Sequence, residues 1–321
     1  MLNRDSEWRV KAANAKRKTA EQFISYRQSA LVSCPICGEK KSQQFIEVYG
    51  YEYAQCSRCM HLFMQPPVDT AHIKKLYQGK AGGSSQALVY LNNERIFEKR
   101  VLLIATPKVI YCNEFIKKKG LWVDIGCGVG EVLTAAKRTG WSVLGYESDI
   151  AEVDFARAHG LEIIAGDITA DTLGGLKGAQ VVSLINILEH IADPVTLLKD
   201  IVAALPKDSH LIIEVPRHPS LSSFVNLVFP SLAYRHIHSP EHLHIFSESS
   251  LGTMLSVVGA TPVALWEFGQ DVMDFVFHAM ANAQVKEDEF THAILRLAVP
   301  MQKVVDEKSM SDTLFVIAKK N

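Results

Sequence analysis

From Leu121 onward, short apolar runs alternate with amphipathic helical segments. LWVDIG, WSVLGYE, LEIIAG, VVSLIN and HLIIEVP are predicted strands, with helices predicted at 131–140, 149–160 and 193–205. Strands that alternate with helices form a parallel sheet covered on both faces. Two later runs, TPVALWEF and DTLFVIAKK, bring the strand count to seven. We therefore expect an α/β fold with a doubly wound, mostly parallel seven-stranded sheet that contains one antiparallel strand.

Four of the six cysteines form two C-x-x-C pairs, Cys34 with Cys37 and Cys56 with Cys59. Each pair directs two thiolates toward one point, and two pairs complete a tetrahedral set of ligands. The N-terminus has no apolar core typical of a secretory signal, so we expect a reducing, cytoplasmic setting that favours metal binding over disulfides. The pattern predicts a zinc-ribbon-like module with a structural Zn²⁺ ion. A rubredoxin-like iron site has similar spacing and is the alternative.

A glycine-rich turn, V-D-I-G-C-G-V-G, follows the first predicted strand of the sheet. Glycine permits positive φ and lets a ligand approach the backbone. Glu147 ends the second strand, where an acid can accept hydrogen bonds from ribose hydroxyls. Asp167 follows the third strand and can reach an adenine amino group, while Asp124 can orient the turn and face a ligand ammonium. The pattern predicts a site for an adenosyl ligand.

This order of motifs, continued by N-I-L-E-H-I-A-D-P after strand four, resembles the class I S-adenosylmethionine-dependent methyltransferases over about residues 105–320. The resemblance implies S-adenosylmethionine as cofactor. It implies that the following residues bind it: Asp124, Gly126, Cys127, Gly128, Gly130, Glu147, Ser148, Asp167, Ile168, Asn186 and Leu188. Glu189 and His190 continue the L-E-H stretch beside the cofactor. His190 is a candidate catalytic residue, or a structural donor to a carbonyl or to Asp193.

A nicotinamide dinucleotide is the alternative ligand for such a turn. Its fingerprint, G-x-G-x-x-G, needs a glycine that this turn lacks, and Glu131 stands at the helix N-terminus. A carboxylate there would repel a pyrophosphate, whereas S-adenosylmethionine carries no phosphate. A dinucleotide-binding sheet also typically has six strands. The sequence therefore favours the methyl donor.

Histidines are concentrated in the stretch H-I-H-S-P-E-H-L-H-I-F-S after strand five. A cysteine module before a methyltransferase domain, with E-H-L-x-x-F-S at this place, is similar to sugar C-methyltransferases that act on nucleotide-linked keto-sugars. That resemblance implies His242 as general base and Glu241 as its neighbour in the active site, since imidazole titrates near neutral pH. The chain departs from the group at Pro240, where a histidine is usual, and lacks its C-terminal domain. A second metal site using Glu241, or a helix entry capped by Ser247, are the alternatives.

Charge and hydropathy separate the remaining classes of function. A formal net charge of −1 gives no general field for nucleic acid. No apolar run reaches the length needed to span a bilayer. We expect methyl transfer to a small molecule such as a nucleotide-linked sugar, with Tyr234 and Arg235 as candidate contacts to an anionic group. A zinc-ribbon RNA methyltransferase and a non-catalytic cofactor-binding interaction protein are the alternatives, and the sequence does not indicate the oligomeric state.

These patterns predict a division of the chain into four parts. They are a basic helical lead (1–30), a zinc-binding module (31–67), a helical linker or cap (68–120) and a cofactor-binding catalytic domain (121–321) with helical insertions at about 220–246 and 270–308. Pro66 and Pro67 mark the exit from the module. The basic side chains of the lead are expected to face solvent or an acidic partner.

Overall fold

A computed structural model describes residues 6–69, 71 and 93–321. Residues 1–5 of the predicted lead and residues 70 and 72–92 of the predicted linker lie outside the described part. The strands are β1 (Ser42–Val48), β2 (Tyr51–Cys56), β3 (Leu62–Met64), β4 (Leu121–Ile125), β5 (Ser142–Glu147), β6 (Ile163–Ala165), β7 (Ala179–Ile185), β8 (His210–Pro216), β9 (His244–Ile245), β10 (Ala260–Phe268) and β11 (Thr313–Lys320). The helices are α1 (Ser6–Phe23), α2 (Glu94–Arg100), α3 (Thr106–Phe115), α4 (Glu131–Arg138), α5 (Ile150–Ala158), α6 (Ala170–Gly174), α7 (Pro194–Ala204), α8 (Leu221–Val228), α9 (Glu248–Val258), α10 (Asp271–Asn282) and α11 (Glu289–Glu307).

The larger sheet has seven strands among the described residues, in the order β10-β11-β8-β7-β4-β5-β6. Neighbouring strands from β8 to β6 pair in parallel, and β11 pairs antiparallel with both β8 and β10. The prediction of an α/β fold with a mostly parallel seven-stranded sheet and one antiparallel strand is therefore confirmed. The strand order reverses direction at β4 and β7, which places a crevice outside their carboxyl ends.

Local sequence signals explain where the helices beside this crevice begin. Asp149 caps α5 by accepting from the backbone N–H groups of Ala151 and Glu152. The Ser247 side chain accepts from the Ser250 N–H at the start of α9, which confirms the predicted helix entry. Such caps satisfy backbone donors that the helix itself leaves unpaired. Asp149 thus fixes the start of α5 directly after β5, and Ser247 fixes the start of α9 directly after β9.

The smaller sheet joins the cysteine-containing region to the histidine-rich loop, residues 236–246. Its strand order is β1-β2-β3-β9, and β9 comes from that loop. Leu62 pairs with Ile245 and Phe63 with His244. Phe63 also packs in the same buried core as Phe246, beneath the larger sheet. Residues 31–67 and the loop are therefore held in one continuous structure.

Helix α1 carries the basic residues of the predicted lead, and two of them pair within the chain. The buried guanidinium of Arg9 bonds to Asp274 in α10. Lys16 Nζ lies 2.5 Å from Glu241 Oε1 in the histidine-rich loop. These two basic side chains therefore pair with carboxylates of the same chain, and not with solvent or a separate acidic partner as the sequence predicted. Among the described helices, none combines the length and the apolar character needed to cross a bilayer.

Candidate active site

The glycine-rich turn leaves β4 with its backbone in the left-handed region. Gly126, Gly128 and Gly130 have φ values of 70°, 55° and 82°. A Cβ on Gly126 would lie 2.2 Å from Cδ1 of Ile187, and one on Gly130 would lie 2.2 Å from Cδ1 of Leu161. Gly126 and Gly128 are partly exposed, whereas Gly130 is buried. The first two glycines can therefore face a ligand, while Gly130 allows α4 to pack closely.

Glu147 closes the turn from the end of β5. Its Oε2 accepts from Gly128 N–H at 2.9 Å, and its Oε1 accepts from the N–H groups of Ser148 and Asp149 at 2.7 and 2.9 Å. These charge-assisted hydrogen bonds hold the carboxylate beside the turn. Glu152 on α5 lies near this carboxylate, and burial, with repulsion from Glu147, raises the pKa of Glu152 to about 8. Glu152 was not predicted as a site residue, although its position in the first turn after the Asp149 cap places it near the end of β5.

Two of the predicted cofactor residues are buried behind the turn. Asp124 Oδ1 accepts from Ser183 Oγ at 2.5 Å, and Trp122 Nε1 donates to the same hydroxyl at 2.8 Å. Burial raises the pKa of Asp124 to about 7, despite the hydrogen bond from Ser183. Cys127 is buried with its sulfur close to Gly145, where an added Cβ would lie 2.6 Å from Sγ. A ligand would therefore contact Cys127 through its backbone rather than its thiol.

The end of β7 is linked to α3 through a buried ion pair. Asn186 has φ 54°, and its Nδ2 donates to Glu214 Oε1 at 3.2 Å. Glu214 Oε2 lies 2.6 Å from Lys108 Nζ. Glu214 and Lys108 could not be predicted as site residues from the sequence, because they stand in predicted regular elements and only the fold brings them together. They fix Asn186 at the edge of the crevice.

The other predicted cofactor residues follow β6 and β7. Asp167 and Ile168 are half-buried, and Ile168 packs against the main core. Leu188 is fully buried at the start of a short turn that continues through His190. The structure therefore brings the predicted residues to one edge of the sheet. Those that are partly exposed form its surface, and Asp124, Cys127, Gly130 and Leu188 support that surface from behind.

The L-E-H turn places a carboxylate next to the histidine-rich loop. Glu189 is fully buried, and burial raises its pKa to about 8. His190 Nδ1 lies 2.8 Å from the carbonyl oxygen of Glu241, as expected for a structural donor. The Leu243 N–H donates to the Glu189 carbonyl at 2.7 Å. The L-E-H turn and the histidine-rich loop are thus joined by two hydrogen bonds, one donated from each segment.

His242 lies against this turn, with its ring centroid 4.9 Å from that of His190. Its Nδ1 is 2.8 Å from the carbonyl oxygen of His236. Glu241 instead bonds to Lys16 and, at 3.1 Å, to His238 Nδ1. Burial alone would raise the pKa of Glu241, but Lys16 and His238 lower it to about 2. Glu241 therefore anchors the loop to α1.

Arg235 and Tyr234 are engaged by acidic groups of the chain. Arg235 Nε lies 2.8 Å from Asp274 Oδ2, and the same guanidinium pairs with Asp312. Tyr234 donates to Asp274 Oδ1 at 3.0 Å. The prediction that these side chains contact an anionic substrate is therefore not supported, because their polar groups already pair with carboxylates.

The four cysteines of the predicted module meet at one point. Cys34 Sγ lies 3.7 Å from Cys59 Sγ, and Cys37 Sγ lies 3.5 Å from Cys56 Sγ. All four sulfur atoms lie within 4.8 Å of one another. Four thiolates bound to Zn²⁺ at about 2.3 Å would have a similar spacing, so these residues fit a tetrahedral zinc site. His61 bonds instead to His244 at 3.1 Å.

The sequence matches the family described as methyltransferase domain over residues 95–265, just over half of the chain. This match confirms the prediction of a methyltransferase. The ubiquinone biosynthesis O-methyltransferase of Stutzerimonas stutzeri is 34% identical over 99 residues, which cover 29% of this chain and 43% of that relative. The protein of the same name from Hahella chejuensis is 33% identical over 82 residues, covering 24% and 34%. The match thus spans less than half the length of either relative.

Solved methyltransferase structures are also similar. A SAM-dependent methyltransferase from Archaeoglobus fulgidus has 18% identity and a TM-score of 0.47, covering 71% of this chain and 99% of its own. The 1,6-didemethyltoxoflavin-N1-methyltransferase of Burkholderia thailandensis, with bound 1,6-didemethyltoxoflavin and S-adenosylhomocysteine, has 14% identity and a TM-score of 0.48. It covers 87% of this chain and 99% of its own. Similarity at this level does not extend to the substrate.

Proposed function

Because this chain belongs to the methyltransferase-domain family, we propose that it transfers a methyl group from S-adenosylmethionine to a small-molecule acceptor. The observation that carries the proposal is the glycine turn at the strand-order reversal, with Glu147 held beside it by three backbone N–H groups. When bound there, S-adenosylmethionine supplies an electrophilic methyl group. The chain's own residues must then hold the cofactor and position and activate the acceptor.

The cofactor-binding roles are assigned by position along the sheet edge. Glu147 accepts the ribose hydroxyls, and Asp167, after β6, reaches the adenine. Asn186, at the end of β7, lies by the methionyl portion. Asp124 lies buried behind the turn and would attract a ligand ammonium through its charge rather than by contact, because a positive charge nearby stabilises the ionised form of a buried carboxyl. The partial exposure of Gly126 and Gly128 supports this assignment, since a ligand can approach the backbone there.

On the acceptor side, His242 is the proposed catalytic residue. An acceptor hydroxyl or acidic C–H must lose a proton as its oxygen or carbon bonds to the methyl group, and a neutral imidazole can accept that proton. His242 Nδ1 is already placed on a carbonyl oxygen, which directs the proton-accepting role to Nε2. Glu241 and His190 act as positioning residues, because Glu241 bonds to Lys16 and His190 bonds to the Glu241 carbonyl.

For the acceptor, nucleotide-linked keto-sugars remain the proposed class on the E-H-L-x-x-F-S motif. The names of the curated relatives describe O-methylation in ubiquinone biosynthesis, which favours an acceptor hydroxyl as the second candidate. A diphosphate would need contacts other than Arg235, whose charge is already neutralised. We also propose that the four cysteines bind Zn²⁺ structurally, and that residues 31–67 and 121–321 act as module and catalytic domain.

The proposal is tested by calorimetry followed by methyl-group tracing. S-Adenosylhomocysteine is expected to bind and a nicotinamide dinucleotide to give no heat. Protein incubated with methyl-labelled S-adenosylmethionine and a fractionated lysate is expected to label the dialysable small-molecule fraction. Label confined to RNA, or tight cofactor binding with no transfer to any fraction, would overturn it in favour of an RNA methyltransferase or a non-catalytic protein.

The role of His242 is tested with a matched pair of variants. His242→Gln should bind S-adenosylhomocysteine like the wild type and lose about 10²-fold or more in turnover. His278→Gln changes a buried histidine whose Nδ1 also lies on a backbone carbonyl, but in α10, and should retain turnover. Equal turnover by both variants would remove His242 from the mechanism.

A further inference from the structure

Among the residues that the structure describes, no side chain donates a hydrogen bond to the buried carboxyl group of Glu189. It has no exposed surface, and neither of its side-chain oxygens accepts a hydrogen bond from any described residue. His190 Nε2 lies 4.0 Å from Oε1, beyond hydrogen-bond distance. Burying an unpaired carboxylate is costly, and proteins offset that cost by pairing it, by protonating it or by coordinating a metal. The position of Glu189 therefore requires an explanation.

Two imidazoles face this carboxylate with the same tautomer. Nδ1 of His190 lies 2.8 Å from the Glu241 carbonyl, and Nδ1 of His242 lies 2.8 Å from the His236 carbonyl. A carbonyl can only accept, so each Nδ1 carries the hydrogen, and in the neutral ring the lone pair is on Nε2. Histidines that bind metals are typically oriented in this way, with the second nitrogen donating to a carbonyl.

One nitrogen of each ring and one oxygen of Glu189 lie within 4.8 Å of one another. Tetrahedral ligands at about 2.0–2.2 Å from a common ion lie about 3.3–3.6 Å apart, so the three side chains would move inward by up to about 1.5 Å to bind one. We propose that Glu189, His190 and His242 bind one divalent transition-metal ion. The site is separate from the cysteine cluster, and its ligands come from the turn after β7 and from the histidine-rich loop.

The ligand set indicates the class of ion. Two imidazoles and one carboxylate suit Zn²⁺, Co²⁺ or Fe²⁺, whereas Mg²⁺ and Ca²⁺ favour oxygen ligands. The nearby positive charge of Lys16 does not oppose the ion strongly, because Lys16 pairs with Glu241 at 2.5 Å. The carboxylate in the set is thus Glu189, and not Glu241 as in the metal-site alternative drawn from the sequence.

Three protein ligands leave a coordination position open, as in catalytic metal sites. This inference rests on the proposed function for the location of the acceptor, and it deepens that function by naming the acceptor's chemistry. The acceptor would be a small molecule that offers an oxygen atom to the ion. An acceptor hydroxyl bound to the ion would have a lowered pKa and would release its proton to water as its oxygen bonds to the methyl group. His242 would then act as a ligand in place of the proton-accepting role proposed above, so the two roles predict opposite responses to metal removal.

The test uses full-length protein with its cysteine site filled with Zn²⁺ and weakly bound metals removed by a chelating resin. Titration with Co²⁺ is followed by calorimetry and visible absorption. We expect one Co²⁺ ion per chain, with ligand-field bands but no intense thiolate-to-cobalt charge transfer. A charge-transfer band alone, which would place cobalt at the cysteines, or no saturable binding would overturn the proposal.

Matched variants locate the ion. Glu189→Gln keeps the side-chain shape and should weaken Co²⁺ binding at least tenfold, and His242→Gln should do the same. His278→Gln, outside the cluster, should bind Co²⁺ like the wild type. Unchanged binding by Glu189→Gln would overturn the assignment.

S-Adenosylhomocysteine binding is measured on each sample, since it keeps this test separate from that of the proposed function. Cofactor binding without Co²⁺ binding would refute only the metal site. Absent cofactor binding would refute the proposed function, whatever cobalt does. Once an acceptor is found, turnover lost on metal removal and restored by Co²⁺ supports ligation by His242, whereas full turnover by metal-free protein contradicts it.

Discussion

Replacing Gly126 with alanine tests whether the left-handed backbone of the glycine turn is required. The residue has φ 70°, and an added Cβ would lie 2.2 Å from Cδ1 and 3.1 Å from Cγ1 of Ile187. The left-handed conformation costs a non-glycine residue about 1–2 kcal/mol. Overpacking adds about 1–3 kcal/mol, at the lower end here because Ile187 is only partly buried and can rotate. We therefore expect a loss of about 2–4 kcal/mol in the free energy of unfolding.

Urea denaturation followed by circular dichroism measures this loss, and calorimetry should show weaker S-adenosylhomocysteine binding. Gly252→Ala is the matched control, because Gly252 lies inside α9 and an added Cβ there would meet no atom within 4 Å. Alanine in a helix interior should stabilise the protein by about 0.5–1 kcal/mol. If Gly126→Ala were as stable as the wild type and bound the ligand equally well, the structural reasoning for the turn would be wrong.

Glu147→Gln keeps the shape of the side chain but removes its charge, so a charge-assisted hydrogen bond becomes a neutral one. Calorimetry should show the affinity for S-adenosylhomocysteine reduced about tenfold. Unchanged affinity would refute the contact between Glu147 and the ribose. Cys59→Ser removes one of the four thiolates. Elemental analysis should show the zinc content falling from one ion per chain toward none, and the melting temperature should be lower. Retained zinc would mean that the ion is bound elsewhere. Burial alone would raise the pKa of Asp274, but Arg235 and Arg9 hold it below its ordinary range. Its ionised form therefore stabilises the fold above the unfolded-state pKa of about 3.9, and this contribution is lost as the pH falls toward the folded-state pKa. Asp274→Asn should cost about 3–5 kcal/mol at neutral pH and flatten the acid side of the stability profile, and an unchanged acid limb in denaturant titrations would contradict this.

The parts of the fold that could be predicted are those with local causes. Buried strands show as continuous apolar runs, and helix starts show as capping residues such as Asp149 and Ser247, so the large sheet could be predicted from the chain alone. The proximity of the glycine turn and Glu147 could also be predicted, because both stand at strand ends, and in a parallel sheet such ends meet at one edge. The four cysteines could be predicted to meet at one point, because each C-x-x-C spacing directs two thiolates to the same position.

The contacts that build the acceptor side have no local signal. Lys16 and Glu241 are 225 residues apart, and nothing in either segment indicates that they pair. The burial of Glu189 could not be anticipated either, since an acid in a polar turn usually faces solvent. The sequence therefore favoured Glu241 as the active carboxylate, whereas the fold uses Glu241 as an anchor and leaves Glu189 beside His242.

The N-terminal region and the proposed acceptor side are physically coupled. The loop that carries His242 is held by the pairing of β9 with β3 and by the ion pair from Lys16 to Glu241, and both β3 and Lys16 lie outside the segment matched by the family. Without them, β9 would lose its partner strand, and the buried carboxylate of Glu241 would lose its cation, a costly arrangement. The hydrogen bond from Gly128 N–H to Glu147 in the glycine turn, by contrast, lies within that segment. The loop that carries His242 is therefore ordered by contacts with residues that precede the family-matched segment, in addition to those within it.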